Sequence, residues 1–163
     1  MASAPRKWHW IVRLSHWTTV VLLVPLFYTG LTGRMGHFSP SETHANLGVA
    51  LLVVLLVRLL TKTVVARPAG YRSRISALVQ AALYVVLFGL LVSGVAAVQN
   101  TAFLPRATVL GGLEIPTLGL VQPQLAGLVH RWMGYVLIGL VGLHVASAIW
   151  RWIGDRSFLS RIV

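Results

Sequence analysis

Four long apolar segments divide this chain, and each has the length and character of a membrane-spanning helix. About 20 predominantly apolar residues are needed to cross the hydrocarbon core of a bilayer as an α-helix. Of the 163 residues, 56% are hydrophobic and 10% are charged, a balance that is not typical of soluble domains. We therefore predict an all-α membrane protein, a single domain over residues 1–163 built as a four-helix bundle with spans at Ile11–Leu31, His44–Leu60, Ile75–Val98 and Leu125–Trp152.

The first apolar segment is predicted to be a true span and not a cleaved leader. It contains His16 and Pro25, it is longer than the apolar core of a leader, and no A-x-A-like cleavage site follows it. All four segments are accordingly counted as spans.

The net charge of +11 follows the predicted topology. Eleven of the 14 basic residues, including Arg58, fall near the start of the chain, around the connection of spans two and three, or after span four. Only Arg34, Arg106 and Arg131 fall on the other side. By the positive-inside rule, both termini are predicted to be cytoplasmic. Topology accounts for the charge, so nucleic acid is not an expected partner, whereas membrane lipid is.

Four histidines lie inside or at the ends of the apolar segments: His16, His44, His130 and His144. An ionisable group at membrane depth is costly and marks a functional site by default. His130 and His144 are 14 residues apart, so both rings project from one helix face with a rise of about 21 Å between them. The alternating direction of the spans then pairs His16 with His144 at the cytoplasmic depth, and His44 with His130 at the outer depth.

Paired imidazoles across a helix bundle suit the two axial positions of a haem iron. Such an iron has no open position, so it transfers electrons and does not bind oxygen. Structural zinc would need four ligands, and packing or helix–helix hydrogen bonding is the alternative for a single membrane histidine. The chain has no cysteine, which excludes covalent c-type haem and thiolate-bound iron–sulfur clusters. His9 and His37 are predicted to be interfacial and not ligands.

A glycine follows two of these histidines at helical spacing, as His44-x-x-x-Gly48 and His130-x-x-x-Gly134. The glycine lies on the same helix face as the imidazole and leaves an open patch there, which a flat macrocycle needs. Close packing of helices is the alternative use of such glycines.

The connection Gln99–Gln124 is the longest in the chain and contains six residues that break helices: Pro105, Gly111, Gly112, Pro116, Gly119 and Pro123. These residues argue against a fifth span. The connection is either a lid or binding element, or an apolar loop lying on the bilayer surface.

Three stretches give the chain a family resemblance: "RLSHW" around His16, "THANLGVALLVVLLVRLL" around His44, and "HRWMGYVLIGLVGLH" from His130 to His144. Here the chain resembles the prokaryotic cytochrome b561 family, which shares its broader fold with the cytochrome b subunits of hydrogenases and formate dehydrogenases. The 14-residue histidine spacing is the most specific element, and the similarity covers all four spans.

The resemblance implies two haem b groups, with His16 and His144 as ligands of an inner iron and His44 and His130 as ligands of an outer iron. It also implies transmembrane electron transfer coupled to a membrane quinone, with oxidation of superoxide and reduction of ubiquinone as one form of the activity. The alternative is a non-enzymatic cytochrome b subunit of a respiratory chain, which passes electrons between the quinone pool and a partner dehydrogenase or cytochrome c.

Four arginines are candidate partners of the haem propionates, since the arginine fork suits carboxylates. Arg34 and Arg131 would serve the outer site, and Arg13 and Arg151 the inner one. The alternative for all four is anchoring at the membrane interface or the positive-inside bias.

Overall fold

The computed structural model of the chain describes residues 9–32, 42–64, 74–98, 108–114 and 122–154. It contains four helices and one short hairpin in the order α1 (Trp10–Thr32), α2 (Glu42–Val64), α3 (Arg74–Val98), β1 (Thr108–Val109), β2 (Leu113–Glu114) and α4 (Pro123–Gly154). All four helices are long and apolar enough to cross a membrane. The predicted four-helix membrane architecture is therefore confirmed, whereas the side on which the termini lie stays a prediction.

The helix α2 extends further than the apolar segment that predicted it. The segment was expected to end at Leu60, but the helix continues to Val64 because no glycine or proline follows before Pro68. Arg58, which the charge pattern assigned to the surroundings of the cytoplasmic connection, lies six residues before this end of the helix and is half-buried. A half-buried arginine within a helix is not explained by the charge bias of the connection alone.

The helices pack mainly as two pairs, α1 along α2 and α3 along α4, with a smaller contact between α2 and α3. The buried core that joins the pairs consists of leucines from all four helices: Leu26, Leu51, Leu55, Leu87 and Leu137. Leu137, the most deeply buried of them, lies midway along α4 between His130 and His144. The core is thus an apolar layer between the two histidine positions of α4, and we call it the leucine layer.

Part of the long connection between α3 and α4 forms an antiparallel hairpin, in which Val109 pairs with Leu113. Its turn uses positive φ angles at Leu110 (54°), Gly111 (78°) and Gly112 (143°). Glycine adopts such angles without a steric cost, which explains the Gly-Gly pair at this turn. The sequence did not predict these strands, since a two-residue strand is too short to show an alternating pattern.

The hairpin is attached to α2 close to the predicted outer site. The backbone N–H of Leu110 donates to Oδ1 of Asn46 at 2.8 Å, and Val109 is buried. Asn46 lies two residues after His44. Residues 108–114 of the long connection therefore form an element that packs on the bundle. The residues on either side of the hairpin lie outside the described part of the chain.

Candidate functional site: two histidine pairs

The structure brings the four membrane histidines together as two pairs. The rings of His16 and His144 have their centroids 6.4 Å apart, and those of His44 and His130 are 6.1 Å apart. We call these the inner pair and the outer pair, after their predicted membrane sides. The helix α4 contributes one ring to each pair, α1 completes the inner pair and α2 completes the outer pair.

Both separations leave space for one metal ion between the rings. An imidazole nitrogen binds a metal ion at about 2.0–2.1 Å, and the nitrogen lies about 1.1 Å from its ring centre, so two axial imidazoles place their centroids about 6.3 Å apart. The observed distances of 6.1 and 6.4 Å bracket that value. Across the described residues, no group of three or more His, Cys, Asp or Glu side chains forms a metal-binding cluster.

In the outer pair, the ring proton of His130 is fixed by the neighbouring helix α3. Its Nδ1 lies 2.9 Å from the carbonyl oxygen of Leu90. A carbonyl oxygen only accepts, so Nδ1–H donates and Nε2 keeps its lone pair. Ser93 Oγ lies 3.3 Å from the same Nδ1 and donates to the same carbonyl. Histidines that bind metals commonly donate their other ring N–H to a carbonyl in this way, and the hydrogen bond fixes the orientation of the ring.

The partner ring, His44, is held in the same way by α1. Its Nδ1 lies 2.8 Å from Oγ1 of Thr29, and that hydroxyl donates to the carbonyl oxygen of Pro25 at 2.7 Å. Because the hydroxyl proton is used on Pro25, the oxygen accepts from Nδ1–H of His44. Both rings of the outer pair therefore carry the proton on Nδ1 and the lone pair on Nε2.

Two kinds of glycine surround the outer pair. A Cβ at Gly30 would lie 3.3 Å from Cε1 of His44, and one at Gly94 would lie 3.1 Å from Cε1 of His130. These two glycines let α1 and α3 approach the imidazole rings closely. By contrast, a Cβ at Gly48 or Gly134 would meet no atom within 4 Å.

Gly48 and Gly134 line an apolar cavity between the two helix pairs, together with both rings of the outer pair. Most of the other lining side chains are leucines and other apolar residues. The glycines of the two H-x-x-x-G motifs thus face open space beside the imidazoles. A flat macrocycle fits such a surface.

The inner pair has a different environment, dominated by Arg58 of α2. Nη1 of Arg58 lies 3.1 Å from Nδ1 of His16, and Nε donates to the Tyr84 hydroxyl of α3 at 2.7 Å. The ammonium of Lys62 lies 3.8 Å from the centre of the Tyr84 ring, within the range of a cation–π interaction. Two cations therefore gather at Tyr84, close to His16.

Arg58 is a site residue that the sequence prediction missed, although the sequence contains a signal for it. It follows His44 by 14 residues, the same spacing that separates His130 from His144. Fourteen residues return to nearly the same helix face, so Arg58 shares the interior face of α2 with His44, at the depth of the inner pair.

The four predicted propionate arginines lie in different surroundings. Arg131 is exposed and lines the outer cavity. Arg151 is half-buried on α4, seven residues after His144, and Arg13 is half-buried on α1, three residues before His16. Arg34 lies outside the described residues. Propionate binding by each of the four stays a prediction.

Of the two histidines predicted not to be ligands, His9 lies at the N-terminus of α1. Its carbonyl oxygen accepts from the backbone N–H groups of Val12 and Arg13, and its side chain is exposed. His37 lies outside the described residues.

The sequence profile described as prokaryotic cytochrome b561 matches residues 7–163. The chain belongs to the prokaryotic cytochrome b561 family. No curated protein sequence matches the chain. The resemblance inferred from the histidine motifs is therefore confirmed, and membership connects this membrane protein with transmembrane electron transfer through haem b.

As a b561 cytochrome, the protein has an outer pair that fits haem b in three respects: ring spacing, the proton on Nδ1 of each ring, and the open glycine surface. The inner pair fits by ring spacing. At His16, however, Nδ1 accepts from Arg58, because a guanidinium has no acceptor. A neutral His16 that held iron through Nε2 would carry its proton on Nδ1 and would give up this hydrogen bond, whereas the bond between Arg58 and Tyr84 does not involve His16.

Proposed function

We propose that the two histidine pairs bind two b-type haems and that this b561 cytochrome transfers electrons across the membrane between them, exchanging them with a quinone. The observation that supports this proposal best is the position of His130 and His144, which face two partners on different helices from one side of α4. When bound, each haem would supply a one-electron iron couple, and the two histidines of its pair would hold it.

The protein's own residues define what such a pair of sites does. Two histidines at each site leave no position for oxygen, so the chemistry is restricted to electron transfer. The leucine layer places apolar side chains between the two sites. Both properties suit a conduit with one site near each membrane surface, and the positive charge around the inner pair favours the cytoplasmic side for that end.

Superoxide is the electron donor that we propose for the outer site. Arg131 is exposed, lies next to His130 in sequence and lines the outer cavity, so it places a positive charge where a small anion would arrive. Positive charge around a cleft raises the local concentration of an anionic substrate. Ubiquinone is the proposed acceptor, and the bacterial inner membrane is the proposed location.

A second candidate function is that of a cytochrome subunit that receives electrons from a partner protein. The hairpin beside His44 supports it, since Leu110 and Leu113 are each 62% exposed at its tip. Exposed leucines on a packed hairpin form a contact surface that a dehydrogenase or a cytochrome c would cover.

Haem content is the first test of the proposal. The purified protein is expected to be red and to contain about two haems b per chain, because each pair supplies both axial ligands. A pyridine haemochrome assay measures the ratio. A folded protein without haem contradicts the proposal for both pairs and both candidate functions.

The electron donor is tested with the purified holoprotein, a ubiquinone analogue and an enzymatic source of superoxide. We expect quinone reduction by the protein alone, which stops when superoxide dismutase is added, because the anion enters beside Arg131. R131Q is expected to lower the rate about tenfold while both haems stay bound. Reduction that requires an added dehydrogenase or cytochrome c supports the second candidate function and contradicts the first.

A further inference from the structure

The two histidine pairs differ most in what contacts the ring nitrogen that is not used for a metal. In the outer pair, Nδ1 of His130 faces the Leu90 carbonyl and Nδ1 of His44 faces the Thr29 hydroxyl, both of which are neutral groups. In the inner pair, Nδ1 of His16 faces the guanidinium of Arg58. Among these three contacts, the one at His16 is made with a fixed charge.

The position of Arg58 does not depend on His16 alone. Its Nε donates to the Tyr84 hydroxyl at 2.7 Å, a shorter distance than the 3.1 Å between Nη1 and His16. Tyr84 belongs to α3, so the guanidinium is held between α1, α2 and α3. Since an arginine stays protonated in proteins, its positive charge remains beside the inner pair when the hydrogen bond to His16 is exchanged.

We propose that Arg58 is a positioning residue of the inner site that raises the reduction potential there and so draws electrons across the leucine layer toward the His16–His144 pair. The proposal rests on haem binding by both pairs, as proposed above. Reduction of an iron adds one negative charge, and a half-buried guanidinium that contacts one of the two rings stabilises that charge more than an exposed one does.

The groups around the inner pair do not cancel this charge within the described part of the chain. Arg58 lies 3.1 Å from His16, and Lys62 adds a further cation at the Tyr84 ring, to which Arg58 is hydrogen-bonded. At the outer pair, the cation that lines the cavity is Arg131, which is exposed. Solvent screens an exposed charge, so the two sites differ in their electrostatic surroundings.

The test is a spectroelectrochemical titration of the purified holoprotein, resolved into two components. The component that His144→Leu removes is the inner one. R58Q is expected to lower the potential of the inner component by about 59 mV or more, which is a tenfold change in a one-electron equilibrium, and to leave the outer component unchanged. R58K keeps the charge and is expected to stay close to the wild-type value. Y84F removes the anchoring hydroxyl and is expected to shift the inner component in the same direction by a smaller amount.

R131Q is the matched control, since it removes an arginine from the outer cavity and should leave the inner component where it is. An inner potential that is unchanged or raised in R58Q overturns the proposal, and so does an R58K shift as large as that of R58Q. If R58Q loses the inner haem, the potentials of R58K and Y84F provide the test. A wild-type potential of the inner component in both variants overturns the proposal, whereas a lowered potential in Y84F alone supports it. Failure of haem binding itself would appear separately, in the haem-to-protein ratio of the wild type.

Discussion

A His144→Leu protein is expected to bind about one haem per chain, whereas the wild type binds about two. The change removes one of two axial ligands of the inner pair, and His16 alone offers a single imidazole at that site. The outer pair lies on the other side of the leucine layer. Its two rings keep their hydrogen bonds to the Leu90 carbonyl and the Thr29 hydroxyl. The pyridine haemochrome ratio measures the loss, and the visible spectrum shows which component is retained.

The reciprocal change, His130→Leu, is the matched comparison because it makes the same substitution on the same helix. It is expected to remove the other spectral component. His9→Leu, which changes an exposed histidine at the start of α1, should retain both haems. The pairing is wrong if His144→Leu and His130→Leu lose the same component, or if either keeps two haems with unaltered spectra.

The pairs of histidines could be anticipated from the sequence because two simple periodicities determine them. The 14-residue spacing fixes the two rings of α4 on one face, and the alternation of four apolar segments fixes the depth of each remaining histidine. Neither step requires knowledge of side-chain packing. The distances of 6.1 and 6.4 Å between ring centroids are what that reasoning leads one to expect.

Arg58 could not be recognised by the same reasoning, since a basic residue near a span end also has a topological explanation. A role at the site can be distinguished from a topological role only when the position of Tyr84 is known, and Tyr84 lies 26 residues from Arg58 in the chain. The contact depends on how α2 and α3 pack, and the apolar pattern of a membrane helix says little about which face meets which neighbour.

The hairpin on α2 is a second feature that the sequence did not provide. Its strands are two residues each, and the side chain of Asn46 on α2 accepts a hydrogen bond from its backbone. Glycine and proline marked the region as a connection, but a hydrogen bond between positions 64 residues apart depends on the assembled bundle. Local patterns predicted a connection between α3 and α4 but not the hydrogen bond between Leu110 and Asn46.

Gly134→Leu is expected to remove the outer haem and lower the ratio from about two haems per chain to about one. Gly134 lies four residues after His130, about 40° around the helix from it, and a Cβ there meets no protein atom within 4 Å. The bundle therefore has room for a Cβ at this position, and a leucine side chain would extend into the cavity that the outer pair shares with Gly48. We expect the protein to fold and the macrocycle to be displaced.

Gly139→Leu provides the control that separates this effect from a general effect of leucine on α4. Gly139 also has no atom within 4 Å of a built Cβ, but it lies nine residues after His130, about half a turn from it around the helix. Its substitution should leave the haem ratio and both spectral components unchanged. Because both glycines lie on the same helix with open space at Cβ, a difference between the two variants can only come from the face that they occupy. If Gly134→Leu retains two haems, the macrocycle does not occupy the open surface beside His130. In that case the glycine has a role in helix packing, and the outer haem lies on another side of the His44–His130 pair.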